Sequence, residues 1–135
     1  MTAKELMLQV RQAEDELRLI GKKRQHYIDL ATSISVHLTG MPGGGRGNSR
    51  VEAGAIGLAD LQSMLTEKEK EYTAIVKKGE DLIAKIPQEN FRKILTLRYI
   101  IGCSWKTIQD EMDYKNEKSA TNCHGYALKA LQKVM

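Results

Sequence analysis

The stretch Ile86-Pro87-Gln88-Glu89-Asn90-Phe91-Arg92-Lys93-Ile94-Leu95-Thr96-Leu97-Arg98-Tyr99-Ile100-Ile101-Gly102-Cys103-Ser104-Trp105 separates two textures of sequence. Pro87 pushes Ile86 out of the α region, so a helix arriving from the amino-terminal side ends there. Gln88 to Ile101 then reads as a new helix. Its apolar side is Phe91, Ile94, Leu95 and Tyr99, with Arg92, Lys93 and Arg98 elsewhere on its surface. Gly102 closes that helix as a residue free to turn left-handed. Ser104 caps the next one through its hydroxyl, and Trp105, Ile108 and Met112 give it a single buried face.

Continuing toward the carboxy terminus, Asp113-Tyr114-Lys115 breaks the short helix, and Asn116 or a close neighbour caps the last one. The inner stripe of that helix is Ala120, Cys123, Ala127, Leu131 and Val134. Three helices, two of them joined by a tight turn, match the helix-turn-helix plan. Trp105, Tyr99 and Tyr114 read as packing residues. Gly125 stands out, because glycine within a helix implies close approach of another backbone or of DNA.

On the amino-terminal side of Pro87 the period is longer-ranged. Leu6, Val10, Ala13, Leu17, Ile20, Arg24, Tyr27, Ala31, Ile34 and Leu38 form one seam, interrupted only by Arg24. A helix of that length runs roughly 50 Å, too long to bury its seam in a compact core, so it needs a partner helix. Leu58, Leu61, Leu65, Lys68, Tyr72, Ile75, Gly79, Leu82 and Ile86 supply one, with Lys68 and Gly79 as its imperfections. Gly40 to Arg50, including Met41-Pro42-Gly43-Gly44-Gly45, does not continue a helix. The expected fold is all-α. A long antiparallel, coiled-coil-like hairpin spans 1–86, with a Gly-rich loop at 39–54, and a three-helix domain spans 87–135. The zipper can close within one chain or between two.

The whole chain of 135 residues has 41% hydrophobic and 28% charged residues and few aromatics, which disfavours collagen-like, disordered and all-β readings. Its formal charge is +4, but the last segment, 87–135, holds +3 of it and 1–86 only +1. A DNA-facing module is therefore sought after Pro87. Cys103 and Cys123 form no CxxC, His124 points about 100° away from Cys123, and His26 and His37 lie apart, so neither a metal nor a cofactor is expected. The Gly-rich loop lacks the Lys-Ser/Thr pair and upstream strand of a phosphate loop. Arg46 and Arg50 leave it open as a contact loop for a phosphate or an acidic surface. With no nucleophile–base pair either, an enzyme is not expected. The start shows no signal-peptide pattern and no stretch long enough to span a membrane, which points to the cytoplasm and to no membrane partner.

A helix held by its apolar stripe offers the opposite side of its first turns to the major groove. Here that side presents Lys118, Ser119, Thr121 and Asn122, with Lys115 at its entrance. Asn suits the N6/N7 pair of adenine, which makes Asn122 the leading base-reading candidate. The same residues also suit an ordinary solvated helix face.

Ile86-Pro87, Ile94-Leu95-x-Leu97-Arg98-Tyr99, Gly102-x-Ser104-Trp105-x-x-Ile108 and Ala127-Leu128-x-x-Leu131 together resemble region 4 of sigma-70 family factors. His124-Gly125-x-Ala127-Leu128 and Met41-Pro42-Gly43-Gly44-Gly45 are similar to motifs of small phage-encoded transcriptional regulators of the ArpU/RinA type. The resemblance implies a phage or prophage regulator in a bacterial cytoplasm. It would bind double-stranded DNA at late or packaging-gene promoters, with host RNA polymerase as a possible partner. Lys106, Lys115 and Lys118 would contact phosphates, Thr121 and Asn122 base edges, and Lys129 would add charge. The core of the domain would be Leu95, Tyr99, Trp105, Ile108, Met112, Cys123, Leu128 and Leu131. The last helix has no Arg, so affinity would rest on a homodimer through the hairpin or on a second protein. The rivals are a phage small terminase subunit and an adaptor of polymerase that does not bind DNA.

Overall fold

The computed structural model describes the backbone of residues 1–39 and 46–135 and the side chains of residues 1–33 and 57–135. The expected all-α class is borne out: every regular element among the described residues is a helix, without a strand. The helices are α1 (Ala3–Thr39), α2 (Arg46–Ala84), α3 (Glu89–Leu95), α4 (Trp105–Glu111) and α5 (Glu117–Val134). A π-helical turn, Thr96–Ile101, extends α3. No described helix is long and apolar enough to cross a membrane. Residues 40–45, and with them the whole Met41-Pro42-Gly43-Gly44-Gly45 motif, lie outside the described residues, as do the side chains of Ile34, His37, Leu38, Arg46 and Arg50.

One expectation is corrected at the start of α2. The loop expected over 39–54 gives way to helix from Arg46, and α1 itself reaches Thr39. Glycine raises the cost of helix without forbidding it, whereas proline forbids it sterically, and Pro42 is the last proline before Pro87.

The chain divides into two compact units. The first unit joins Met1–Glu16 to Tyr72–Met135. Its α1 segment begins with a reciprocal cap: Thr2 Oγ1 accepts from the Glu5 N–H, and Glu5 Oε2 accepts from the Thr2 N–H at 3.1 Å. The next free donor of the helix end, the Ala3 N–H, is taken by Gln132 Oε1 of α5 at 2.7 Å. Leu6, Met7 and Val10 are fully buried. Gly79 is no imperfection here, because a Cβ on it would come within 2.5 Å of Val10 Cγ2; the glycine lets the two backbones approach.

The remainder of this unit is built as its local chemistry dictates. Pro87 stops the helix, Ile86 is buried without exposure, and Arg92 donates to the freed Ile86 carbonyl at 2.6 Å and to that of Pro87 at 3.0 Å. Gly102 takes the left-handed conformation (φ 86°), and the N–H groups of Gly102 and Cys103 both close on the Leu97 carbonyl. The Arg11 guanidinium packs against Gly102 where any Cβ would stand. Lys93 donates to the Glu111 carbonyl at 3.2 Å, tying α3 to the end of α4.

The second unit is Leu17–Glu71. Ile20 and Leu65 are buried in it, with Leu17, Tyr27, Ala31 and Leu58 half-buried. Arg24, the interruption in the first seam, forms an ion pair with Glu69 at 2.5 Å and reaches Thr66 at 3.4 Å. The expected seam of α2 is therefore shifted at alternate positions. Leu58, Leu65, Tyr72, Gly79 and Ile86 keep their inward places, but Gln62 replaces Leu61, Glu69 replaces Lys68, Val76 lies deeper than Ile75, and Ile83 lies deeper than Leu82. Paired apolar residues at 75/76 and 82/83 leave hydropathy undecided, and opposite charge to Arg24 selects Glu69 over Lys68.

Candidate nucleic-acid interface

The candidate surface begins with how α5 is started. Asn116 is extended (φ −153°), and its Oδ1 accepts from the Ser119 N–H at 2.9 Å and from the Ser119 hydroxyl at 3.0 Å. Across the preceding turn Asp113 has φ 55°, and the Tyr114 N–H reaches the Gln109 carbonyl at 3.0 Å. Ser104 caps α4 in the same manner, accepting from the Thr107 N–H at 3.2 Å. Both caps lie where a short polar side chain precedes an apolar stripe, so each was readable from sequence.

Ala120, Ala127 and Leu131 are buried without exposure and fix which side of α5 faces in. Of the expected core residues, Leu95, Tyr99, Ile108 and Leu131 are buried, while Trp105, Met112, Cys123 and Leu128 are half-buried. The opposite side carries Lys118, Thr121, Asn122, Gly125, Tyr126, Lys129 and Lys133, all exposed. Lys106 is exposed in the first turn of α4 and Lys115 in the turn between the helices.

The polar candidates are not equivalent. The Ser119 hydroxyl proton is used in the Asn116 cap, and the Thr121 hydroxyl donates to the Lys118 carbonyl at 3.0 Å. Each keeps lone pairs to accept with, but neither has a free donor. Asn122, exposed on the same turn, has no such internal bond among the described residues. Lys129 Nζ stands 5.8 Å from the Tyr126 ring centre, a distance at which the ring face attracts the ammonium.

Behind this face lies a cluster that spacing alone did not single out. The Tyr99 hydroxyl and His124 Nε2 are 2.6 Å apart. The His124 and Trp105 rings meet nearly at right angles with their centres 5.0 Å apart, and the Arg98 guanidinium carbon lies 4.5 Å from the Trp105 ring centre. Arg98 also donates to the Cys103 carbonyl at 3.0 Å. Burial, then the charges of Arg98 and Lys4, hold the His124 imidazole below the usual histidine range. Burial pushes the Tyr99 hydroxyl up against the opposing pull of Arg98. Tyr114, through burial and a side-chain hydrogen bond with Cys123, is pushed up to about 12. A usable signal for His124 existed: it lies four residues after Ala120 and three before Ala127, on the inward stripe.

The cluster joins the π-helical turn, α4 and α5 through rings and one hydrogen bond, and so holds α5 from behind its outer face. Among the described residues no His, Cys, Asp and Glu side chains gather into a metal-ligand set. Compared with known proteins, the chain matches no family model, no curated protein and no solved structure.

Proposed function

We propose that the chain is a DNA-binding regulator of transcription, of the phage or prophage kind, in which α4 and α5 act as a helix-turn-helix. The observation that carries this reading is the outer face of α5. After Glu117 in its first turn the helix holds no carboxylate, and Lys118, Asn122, Lys129 and Lys133 are exposed along one side. A surface of that charge, presented by a capped helix with a rigid back, suits a phosphate-lined groove.

In this reading Lys106, Lys115 and Lys118 pair with phosphates and set the register. Asn122 donates and accepts at an adenine edge, and Thr121 accepts from a base donor through its free lone pairs. Glu117 sits at the positive end of the helix, where it offsets the dipole that would otherwise attract a phosphate. Three phosphate-pairing lysines on one domain give weak binding, so two copies, or polymerase, hold the complex together. The long helices α1 and α2 serve as the antiparallel hairpin for that oligomerisation or docking.

The test is a binding titration of the full chain against late-promoter duplex DNA across salt. Three phosphate contacts from one protomer give a log–log slope of roughly −3. Affinity that stays level as salt rises contradicts the reading.

A further inference from the structure

Gly125 is exposed in the middle of α5, and a Cβ built on it meets nothing within 4 Å. Contrast Gly79, where the missing Cβ makes room for Val10. Glycine weakens a helix interior, and at residue 125 nothing among the described residues uses the space gained. At about 100° per residue, Lys118, Gly125 and Lys129 fall within about 40° of one another, at the centre of the exposed arc of α5. A bare strip of main chain therefore lies between two cations.

We infer that one sugar–phosphate strand crosses α5 at Gly125, held by Lys129 on the outer side of the crossing. The inference rests on the DNA-binding reading above and adds where the helix meets the wall of the groove. A helix that enters the major groove amino terminus first must pass a phosphate wall with its middle. The groove is about 12 Å wide, so its wall stands roughly 6 Å from its centre line. Thr121 and Gly125 are separated by about 6 Å of helix rise, which puts Gly125 at the wall when Thr121 and Asn122 are at the base edges.

A side chain at that crossing would hold the strand off by its own thickness, whereas glycine admits a phosphate to the helix surface. Tyr126, 60% exposed beside it, brings a hydroxyl that donates to the same strand, and its ring keeps the Lys129 ammonium close. Phosphates are identical in every sequence, so this crossing contributes affinity without selectivity.

The experiment measures binding of the full chain and of Gly125→Gln, Gly125→Ala and Asn122→Ala to two duplexes. One duplex has random sequence, and the other is enriched from a random pool by the wild-type chain. Gly125→Gln is expected to weaken both complexes about tenfold, leaving the ratio between them unchanged, and Gly125→Ala to weaken both to a smaller extent. Both substitutions replace glycine by a better helix former, so neither should lower the melting temperature. Asn122→Ala should lower the ratio. If both Gly125 variants bind as wild type does while Asn122→Ala loses selectivity, the crossing is wrong and the DNA-binding reading stands. If a Gly125 variant changes the ratio, the residue faces bases and the crossing is again wrong. If the wild-type chain binds neither duplex, both fall together.

Discussion

The two units of this chain are made from the same long helices yet are stabilised differently. In the unit formed by Met1–Glu16 and Tyr72–Met135 lie all the described buried apolar residues except Ile20 and Leu65. The Leu17–Glu71 unit has those two, a row of half-buried seam residues, and the Arg24–Glu69 pair. It also exposes Leu19, Ile28, Leu30, Leu61 and Met64. A pair of helices can bury only the facing stripe of each, whereas five helical segments around one centre remove several side chains wholly from water. The lesson is that the first turns of α1 belong energetically with the carboxy-terminal helices, through the Gln132 bond to Ala3 and the packing of Arg11 on Gly102.

Core truncation should separate the units most clearly. Leu131→Ala should cost about 2–5 kcal/mol in urea unfolding, because Leu131 is fully enclosed. Leu65→Ala, at 9% exposure where Leu131 has none, should fall at the low end of that range or below it. Equal losses at both positions would break the contrast. Gly79→Ala comes next, with a cost of about 1–3 kcal/mol from overpacking against Val10, against the sign that helix propensity alone would give. Gly21→Ala sharpens the point from the other side. No atom lies within 4 Å of a Cβ there, so the same substitution should stabilise the chain by about 0.5–1 kcal/mol.

Smaller effects come from charge. The Arg24–Glu69 pair is partly exposed, so a double-mutant cycle should return a coupling of only about 0.2–1 kcal/mol, reduced further by salt. His124 has a folded-state pKa below its unfolded value, so the unfolded chain takes up the proton first as pH falls. Its contribution to stability is intact above the unfolded value of about 6.5 and is lost as pH drops from there through the lower, folded value. The urea midpoint should therefore fall between pH 7.5 and 5.5, and by less in His124→Gln.

Much of this architecture was legible because helix periodicity and caps are local. Every described position of the α1 series is buried or half-buried, Arg24 included, and Asn116, Ser104 and Gly102 each do what their chemistry suggests. What escaped depends on partners distant in sequence. The α2 seam was ambiguous wherever two apolar residues adjoin, and only Arg24 on the other helix decides between Lys68 and Glu69. The start of α2 at Arg46 was hidden by counting glycines as prohibitions. The Tyr99–His124–Trp105–Arg98 cluster needs three helices to be placed before its members meet. On the candidate interface, the exposed lysines could be read from the period of α5. That the Ser119 and Thr121 hydroxyl protons are already used could not, since it depends on rotamers.

The most direct test of the account is amide shift mapping of the full, isotope-labelled chain titrated with a random-sequence DNA duplex. The account predicts that shifts concentrate at Lys106 and between Lys115 and Lys129, with Asn122 and Gly125 among the largest, while the amides of Leu17–Ser33 and Gly57–Glu71 stay in place. Shifts confined to that second set, or none anywhere at low salt, would contradict it.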